Sequence, residues 1–362
     1  MKMCEAFFSN GVDCKLIAPL RSLDPLIDEK DPFQYYGIKN KFPLTFLPSI
    51  DTLYTQNIPF IGKFLFWLQQ RSFGSKVKKY LRLKEGIIYT RDQFILNSFI
   101  NSDFKLYWEA HNFPRVIESN FYKKILNRID GLIVITGGLK DKFASYYKGE
   151  ILVAPDAVDP EEFNISLTKP EARQKTNLPL NKKIALYVGQ LYEWKGASVI
   201  IESLKYLSEN ELIVIIGGSP EDILKYKNSI PRNYKDNIIF IGQINHKLVP
   251  LYLQSADCLL LTGKKGEAIS ELYTSPLKLF EYMFSQRPIV AQNLPSFREV
   301  LNDHNSIIVN TDDPEAFADG VHKAFSDDTE LNKIIEKAYD DVRDNTWQNR
   351  AKIIADYIRK NV

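Results

Sequence analysis

The 362-residue sequence is poor in cysteine and histidine and carries almost no excess of either charge. Its three cysteines, Cys4, Cys14 and Cys258, lack metal-ligand spacing, and an odd number of scattered thiols fits a reducing, intracellular compartment better than a disulfide framework. The 47 Lys and Arg residues nearly balance the 45 Asp and Glu residues, which argues against a chain that binds nucleic acid over its whole surface. The charged fraction of 25% and the net charge of +2 exclude a disordered chain.

Long apolar runs are also absent. The nearest approach, Ile58 to Leu68, is interrupted by Lys63 and is shorter than the roughly 18 residues that a membrane span needs. The first eleven residues lack the apolar core of a signal peptide and instead predict an amphipathic helix that ends near Gly11. The sequence therefore predicts a chain that does not cross a bilayer.

What the sequence has in abundance is short, continuously apolar runs separated by helical patterns. Continuous rather than alternating hydrophobicity is typical of strands covered on both faces, as in parallel sheets of βαβ units. The length, at about 150 residues per domain, accommodates two such units. The predicted strands are 14–19, 86–90, 105–111, 131–136, 150–155, 184–189, 211–217, 237–242, 258–262 and 288–291.

A polar stretch between residues 164 and 181 indicates the domain boundary. We predict an N-terminal α/β domain over residues 1–165, a second α/β domain over 166–345, and a C-terminal helix within 346–362 that packs on one of them. Ligands of open parallel sheets bind at the carboxyl ends of the strands, so two such sheets are expected to face each other across a cleft.

The first informative motif, Tyr187 to Gly196, reads as a strand, a loop and a helix from about Ala197. Gly189 allows close backbone approach, the helix start offers unpaired N–H groups, and Lys195 adds a full charge. Together these features suit a phosphate group, whereas the alternative is an ordinary turn with a solvated lysine.

The second motif runs from Glu271 to Met283. Thr274 or Ser275 is expected to cap a helix with Pro276 in its first turn, which would present N–H groups to an anion. We expect the helix to bury Leu277, Phe280 and Met283. Glu281 then lies on an edge where its carboxylate reaches a ligand hydroxyl, or it is a surface residue beside Lys278.

These segments resemble the donor-binding half of retaining glycosyltransferases with the GT-B architecture, in particular glycosyltransferase family 4, which includes glycosyl transferases group 1. The stretches that carry the resemblance are 151–163, 187–196, 275–291, 294–300 and the closing 346–351. The resemblance implies an α/β fold of two Rossmann-like domains facing across a cleft. It also implies that the first strand of the N-terminal domain is missing, because members begin with a strand and a glycine-rich loop ahead of the helix that opens this chain.

By resemblance, Lys195 contacts the donor diphosphate and Glu281 holds the nucleotide ribose. An arginine common in the family is replaced by Gln190, and Lys278 or Lys264 is expected to compensate. The first Glu of the family's paired-Glu motif falls on Tyr273, with Glu271 and Glu267 nearby but out of register. The full set implied for donor binding is Gly189, Gln190, Lys195, Gly217, His246, Tyr273, Ser275, Pro276, Leu277, Lys278 and Glu281.

The resemblance also makes His111, at the end of a predicted strand, a candidate catalytic residue alongside Lys195 and Glu281. Glu109, two residues earlier, either orients His111 or is structural, and His111 itself is alternatively a capping residue. Arg91 is a candidate anion ligand. His246 lies in a loop that in the family is near the base, although a solvated loop histidine reads equally well.

The function implied by the resemblance is transfer of a sugar from a UDP- or GDP-sugar, with retention, to a glycan or lipid-linked acceptor in cell-surface polysaccharide or glycoconjugate synthesis. No metal or other cofactor is expected, because Asp-X-Asp and His/Cys clusters are absent from the sequence. The alternatives are a catalytically weak or inactive subunit that binds nucleotide or a partner, suggested by Gln190 and Tyr273, and a sugar-nucleotide epimerase of the same architecture.

The stretch from Thr52 to Lys84 holds seven basic residues, no acidic ones, and many aromatics. A helix of this composition within residues 58–84 fits an anionic membrane surface, and the expected location is cytoplasmic, peripheral at the inner face of the membrane. The alternative is a core helix followed by a solvated basic helix. No nucleic-acid partner is expected.

Overall fold

The computed structural model describes residues 1–20, 31–50, 62–82, 84–326 and 328–361, apart from the side chain of residue 63. The chain forms two compact units, one of residues 1–155 and 347–362 and the other of residues 156–346. The boundary therefore falls earlier than the expected 165/166, because Val158 and Phe163 join the core of the second unit. Val158 also donates its N–H to Asn345 O at 2.9 Å, within that unit.

The first unit contains two parallel sheets. β1 pairs with β2, and a four-stranded sheet has the order β3-β4-β5-β6. The elements are α1 (Lys2–Ser9), β1 (Leu16–Leu20), α2 (Pro32–Tyr35), β2 (Leu44–Pro48), α3 (Gly62–Tyr80), β3 (Ile87–Thr90), α4 (Gln93–Ser98), β4 (Lys105–Ala110), α5 (Asn120–Arg128), β5 (Gly131–Val134), α6 (Gly137–Ala144), β6 (Ile151–Val153) and the C-terminal helix Trp347–Lys360.

The C-terminal helix packs on the first unit, where its apolar stripe fits the core. Ile354 and Ile358 are buried in one cluster with Met3 and Phe7 of α1. Tyr357 donates its hydroxyl to Glu150 O at 2.5 Å, so the helix is also fixed by a hydrogen bond. The C-terminal helix is thus part of the core of the first unit, which also contains the N-terminal helix α1.

The second unit is a six-stranded parallel sheet of order β12-β11-β10-β7-β8-β9. Its elements are α7 (Pro160–Phe163), α8 (Lys169–Thr176), β7 (Lys183–Val188), α9 (Ser198–Ser203), β8 (Glu211–Ile216), α10 (Pro220–Ser229), β9 (Ile238–Gly242), α11 (Val249–Ser255), β10 (Cys258–Leu261), α12 (Leu277–Phe284), β11 (Ile289–Gln292), α13 (Pro295–Arg298), β12 (Ile307–Val309), α14 (Pro314–Ala324) and α15 (Thr329–Val342).

Successive residues of the central strand β7 enter different cores. Ile184 and Leu186 belong to one buried cluster, while Ala185 and Tyr187 belong to the other. Because side chains alternate across a strand, both faces of the sheet are covered. The expectation of doubly covered parallel strands is confirmed for this unit.

Helix α3 carries part of the predicted basic stretch. Gln69, Phe73 and Val77 are buried on one side of the helix, whereas Phe64 and Trp67 are exposed by 56% and 38%. The expected contributions of Phe60, Ile61 and the Lys63 side chain lie outside the described residues. Among the helices that the structure describes, none is long and apolar enough to cross a membrane.

Candidate functional site

The loops that follow β7, β8 and β10 are in close backbone contact at glycine residues. Gly217 has φ +103°, and a Cβ there would overlap the carbonyl oxygen of Gly189. Gly196 has φ +68°, and a Cβ there would overlap the carbonyl oxygen of Gly263. Both positions combine a left-handed conformation with backbone contact, so only glycine fits without a shift. The carboxyl ends of these strands therefore form a tightly joined backbone platform.

Lys195 lies in this platform, in the helical turn Glu193–Lys195. Its Nζ is 4.0 Å from the centroid of the Trp194 ring, and among the described residues it has no carboxylate partner. Burial lowers the pKa of Lys195 from 10.5 to about 8. A partly buried ammonium group without a counter-ion is stabilised when an anion binds beside it.

Lys278, in the first turn of α12, lies close to the same place. Its buried Nζ has no hydrogen-bond partner in the described part of the chain and is 3.9 Å from the centroid of the Tyr187 ring. A Cβ on Gly189 would lie 3.6 Å from this nitrogen. Burial, and then the charge of Lys195, hold the pKa of Lys278 well below its usual value, whereas Glu281 opposes this shift. The two lysines thus bring two amino groups close together, and a bound anion would stabilise the charged form of each.

Lys264 differs from Lys278, although both are candidates to replace the charge missing at Gln190. Lys264 Nζ is 2.5 Å from Glu193 Oε1, and this hydrogen bond raises the pKa of Lys264. Its charge is therefore already compensated. Gln190 itself contributes its carbonyl, which accepts a hydrogen bond from the Tyr187 hydroxyl at 3.0 Å and so fixes the ring beneath Lys278.

The start of α12 differs from the prediction. Ser275 does not cap the helix, because its Oγ accepts a hydrogen bond from Asp156 N at 3.1 Å. Thr274 donates its hydroxyl to Ile269 O at 2.5 Å instead. The helix begins at Leu277 with Pro276 as its N-cap residue and without a side-chain cap. The N–H groups of its first turn therefore have no side-chain cap, and an anion can bind there without the serine or threonine cap that was expected.

The predicted core face of α12 is correct for two of its three residues. Phe280 and Met283 are 0% and 1% exposed, but Leu277 is 43% exposed, so its assignment to the core is wrong. Leu277 is the first residue of the helix, and it lies outside the core cluster that contains Phe280 and Met283. Tyr273 ends a π-helical turn, Ile269–Tyr273, just ahead of this helix.

Glu281 is buried within α12, at 7% exposure, rather than lying on the surface. Its Oε1 is 3.3 Å from Nε2 of His246, and the other ring nitrogen, Nδ1, is 2.9 Å from Oε1 of Glu162. Hydrogen bonds to Glu162 and then Glu281 raise the pKa of His246 to about 10. The sequence reading included Glu281 and His246 but missed Glu162, 84 positions away from its histidine.

In the first unit, Glu109 near the end of β4 is completely buried. Its Oε1 is 2.5 Å from Nε2 of His111 and 3.0 Å from guanidinium nitrogens of both Arg91 and Arg350. Burial raises the pKa of Glu109, but the hydrogen bond from His111 and the charge of Arg350 outweigh it and hold that pKa below its usual value. Because Nε2 faces a carboxylate, it carries a proton, and Nδ1 is the nitrogen left for another partner.

Arg350 is the member of this group that sequence reasoning missed. It belongs to the C-terminal helix and is 4% exposed. A signal was present, because Arg350, Ile354 and Ile358 follow one another at helical spacing, which places a charge on a buried stripe. A charge in such a position needs a buried partner.

Across residues 1–20, 31–50, 62–82, 84–326 and 328–361, no group of three or more His, Cys, Asp or Glu side chains is arranged to hold a metal ion.

The fold of the chain is that of the GT-B glycosyltransferases, with two Rossmann-like domains. HepE of Anabaena, solved in complex with UDP and glucose, matches with a TM-score of 0.73 at 13% identity, covering 99% of this chain and 95% of that one.

The sequence comparisons define the class of enzyme. Residues 168–341 match the model of glycosyl transferases group 1. An uncharacterized glycosyltransferase of Methanocaldococcus jannaschii is 25% identical over 335 residues, which cover 84% of this chain and 81% of that protein. The UDP-Gal:alpha-D-GlcNAc-diphosphoundecaprenol alpha-1,3-galactosyltransferase of Escherichia coli is 27% identical over 191 residues, 51% of this chain and 47% of that protein. The chain is a glycosyltransferase with a group 1 domain.

Proposed function

We propose that this enzyme transfers a sugar from a UDP- or GDP-sugar, with retention of configuration, to a glycan or lipid-linked acceptor in cell-surface polysaccharide or glycoconjugate synthesis. The observation that carries the proposal is the pair formed by Lys195 and Lys278, two lysines without carboxylate partners among the described residues. A diphosphate would supply the negative charge that both lack.

The two lysines and the start of α12 suit the departure of a nucleoside diphosphate. As the bond between the sugar and the diphosphate breaks, negative charge grows on the phosphate oxygen. Fixed positive groups in a partly dry site stabilise that charge more than water does, because they do not have to reorganise. Lys278 takes the place of the charge missing at Gln190, since Lys264 is already paired with Glu193.

Glu281 is assigned to the ribose of the donor, because a buried carboxylate readily accepts hydrogen bonds from a pair of hydroxyl groups. The complex of HepE with UDP and glucose supports a uridine donor. Gly189, Gly217, Tyr273, Ser275, Pro276 and Leu277 lie along the same strand ends and helix start, and they complete the proposed donor site.

Retention of configuration implies that the acceptor hydroxyl attacks on the face from which the diphosphate leaves. The new bond from the sugar to the acceptor oxygen forms as the bond to phosphate breaks, and the hydroxyl proton passes to the departing phosphate oxygen. The protein then needs to position the reactants rather than supply a base. We assign His111 a catalytic role in stabilising the leaving group, with Glu109 holding its ring. No metal is required in this proposal.

A lipid-linked acceptor is supported by two observations. Helix α3 exposes Phe64 and Trp67 beside basic residues, which suits an anionic lipid surface. The E. coli relative is named for a diphosphoundecaprenol-linked acceptor. We therefore place the reaction in the cytoplasm, at the inner face of the membrane.

Thermal-shift measurements with UDP, GDP, ADP and CMP test the donor assignment directly. A rise in melting temperature with one diphosphate identifies the base, and a Lys195→Met, Lys278→Met double variant should lose the shift. Transfer is then measured with the matching sugar nucleotides and lipid-linked acceptors, with and without EDTA. Binding without hydrolysis or transfer would favour a non-catalytic subunit, and the absence of any shift would overturn the proposal.

A further inference from the structure

His246 occupies the space between two carboxylates that come from different elements. Nδ1 is 2.9 Å from Glu162 Oε1, and Nε2 is 3.3 Å from Glu281 Oε1. Glu162 belongs to α7 and Glu281 to α12. His246 itself opens the helical turn His246–Leu248 after β9.

This geometry fixes the charge of the ring. A neutral imidazole has one N–H donor and one acceptor nitrogen, whereas both nitrogens of His246 face ionisable carboxylates. With both carboxylates ionised, both bonds form together only when both nitrogens are protonated, that is, when the ring is an imidazolium. The raised pKa of His246, about 10, agrees with this conclusion, and its causes are these two carboxylates, with burial acting in the opposite direction.

The backbone turns that carry His246 and Glu162 have their own caps, and the imidazole also contacts an aromatic ring. Asn245 accepts a hydrogen bond from Lys247 N at 3.0 Å, which caps the turn that carries His246. The ring of Phe163 lies edge-on to the imidazole, with centroids 6.1 Å apart. Asp159 caps α7 by accepting from Glu161 N at 3.1 Å. The turns that carry His246 and Glu162 are therefore stabilised by hydrogen bonds that involve no ligand.

We propose that His246, kept charged by Glu162, is a positioning residue that fixes the buried carboxylate of Glu281 toward the ribose hydroxyls of the donor. This inference rests on the proposed function, because it concerns the donor site. Glu281 is 7% exposed, and a carboxylate in such a place is costly unless a fixed positive partner keeps it ionised. His246 provides that partner through one oxygen and orients the carboxylate for a diol.

The test separates ribose recognition from phosphate recognition. Dissociation constants for UDP, 2′,3′-dideoxy-UDP and pyrophosphate are measured for the wild type, His246→Gln and Glu162→Gln. UDP binding should weaken about tenfold in His246→Gln, the scale of one charge-assisted hydrogen bond, while pyrophosphate binding stays unchanged. The wild type should prefer UDP over its dideoxy form, and His246→Gln should lose most of that preference. The preference of Glu162→Gln for UDP over dideoxy-UDP should lie between those of the wild type and His246→Gln.

His322→Gln is the matched control. His322 also contacts a carboxylate, Glu211, with Nε2 3.2 Å from Oε2, but His322 belongs to α14 and Glu211 is the first residue of β8, at the amino end of that strand. All three ligands should bind this variant as they bind the wild type. Nitrogen-15 spectra of the ligand-free wild type at pH 8 should show both ring nitrogens of His246 protonated.

Each outcome decides the matter. A neutral His246 at pH 8, unchanged UDP binding in His246→Gln, or an equal loss for UDP and pyrophosphate would overturn this inference while leaving the proposed function intact. If the wild type binds none of UDP, GDP, ADP, CMP and pyrophosphate, the proposed function and this inference both fail.

Discussion

Arg350 donates from Nη2 to Oε1 of Glu109 at 3.0 Å, and the two side chains are 4% and 0% exposed. The arginine lies in the C-terminal helix, and the carboxylate lies in the strand that leads to His111. The same guanidinium donates to the carbonyls of Ala154 and Pro155 at 3.0 and 2.7 Å. The last helix of the chain thus supplies the charge behind the carboxylate that orients His111.

Replacing Arg350 should therefore affect both stability and catalysis. Arg350→Met removes one partner of a buried ion pair and should lower the free energy of unfolding by about 3–5 kcal/mol. Arg350→Lys keeps the charge but loses the bonds to the two carbonyls, so it should fold better and still turn over slowly. Urea unfolding and steady-state kinetics measure the two effects, and kcat should fall with little change in KM for the donor.

Arg359→Met provides the control within the same helix. Arg359 pairs with Asp356 at 2.8 Å, but its side chain is 63% exposed. Such surface pairs contribute about 0–1 kcal/mol, so this variant should behave like the wild type. Equal effects of the two arginine substitutions would contradict the role given to Arg350.

Donor binding should be coupled to proton uptake through Lys195 and Lys278. The pKa of Lys195 is about 8 against 10.5 for the free group, so the ligand-free protein carries this lysine half protonated at pH 8. An anion favours the charged form, and binding at pH 8 should take up about half a proton at Lys195, with a further contribution from Lys278, whose pKa is also lowered. Calorimetry in buffers of different ionisation enthalpy measures the uptake.

The sign of the pH effect on stability follows from the same shift. Between pH 8 and 10.5 the unfolded chain holds the Lys195 proton and the folded chain releases it, so without ligand stability rises with pH in this window. Lys195→Met should reduce that rise and the proton uptake, and Lys278, whose pKa is also lowered, accounts for what remains. Lys264→Met is the control, because Glu193 raises the pKa of Lys264 and keeps it charged. Unchanged uptake in Lys195→Met would contradict the assignment.

The local pattern of apolar residues predicted most of the strands, since all ten predicted strands are present in the structure. The strands that it missed are β2, which ends in Pro48 and lacks a continuous apolar run, and β12, which has only three residues. Both are edge strands of their sheets, and β12 was missed although Ile307, Ile308 and Val309 are β-branched and favour a strand.

The positions of the site residues were accessible from the sequence, but their partners were not. His111 and Lys195 follow strands, and that can be read locally. The pairing of Glu109 with Arg350 joins positions 241 apart, which depends on where the C-terminal helix packs. The capping role expected of Ser275 failed for a related reason, because a distant N–H, that of Asp156, occupies its hydroxyl.

The glycine contacts of the donor platform should be sensitive to a single methyl group. In Gly217→Ala the new Cβ meets the carbonyl of Gly189, at a residue with φ +103°. This variant should lose about 3 kcal/mol of unfolding free energy. It should also bind UDP more weakly, because the loop before Lys195 has to shift. Gly266→Ala, at φ +83° with nothing within 4 Å, should cost only about 1 kcal/mol of backbone strain. Thermal unfolding of both variants measures the difference, and similar losses would show that close approach at Gly217 is unimportant.

Membrane contact through α3 should depend on its exposed lysines. Lys76, Lys78 and Lys79 are exposed near the end of the helix, beyond the aromatic pair Phe64 and Trp67. Each basic residue near an anionic surface contributes about 1 kcal/mol to binding. Exchanging the three lysines for Glu should therefore weaken binding to vesicles with anionic lipid by at least about a hundredfold. Vesicle flotation measures binding, and the dissociation constant for UDP should stay unchanged.

The matched control reverses three exposed charges of the second unit, Lys225, Arg232 and Lys235, which are not part of α3. This variant should float with anionic vesicles like the wild type. Vesicles of neutral lipid should bind the wild type weakly, because the aromatic contacts alone bury little area. Wild-type binding that does not depend on anionic lipid, or an equal loss in both triple variants, would exclude α3 as the membrane contact and leave it a partly buried helix with a solvated basic end.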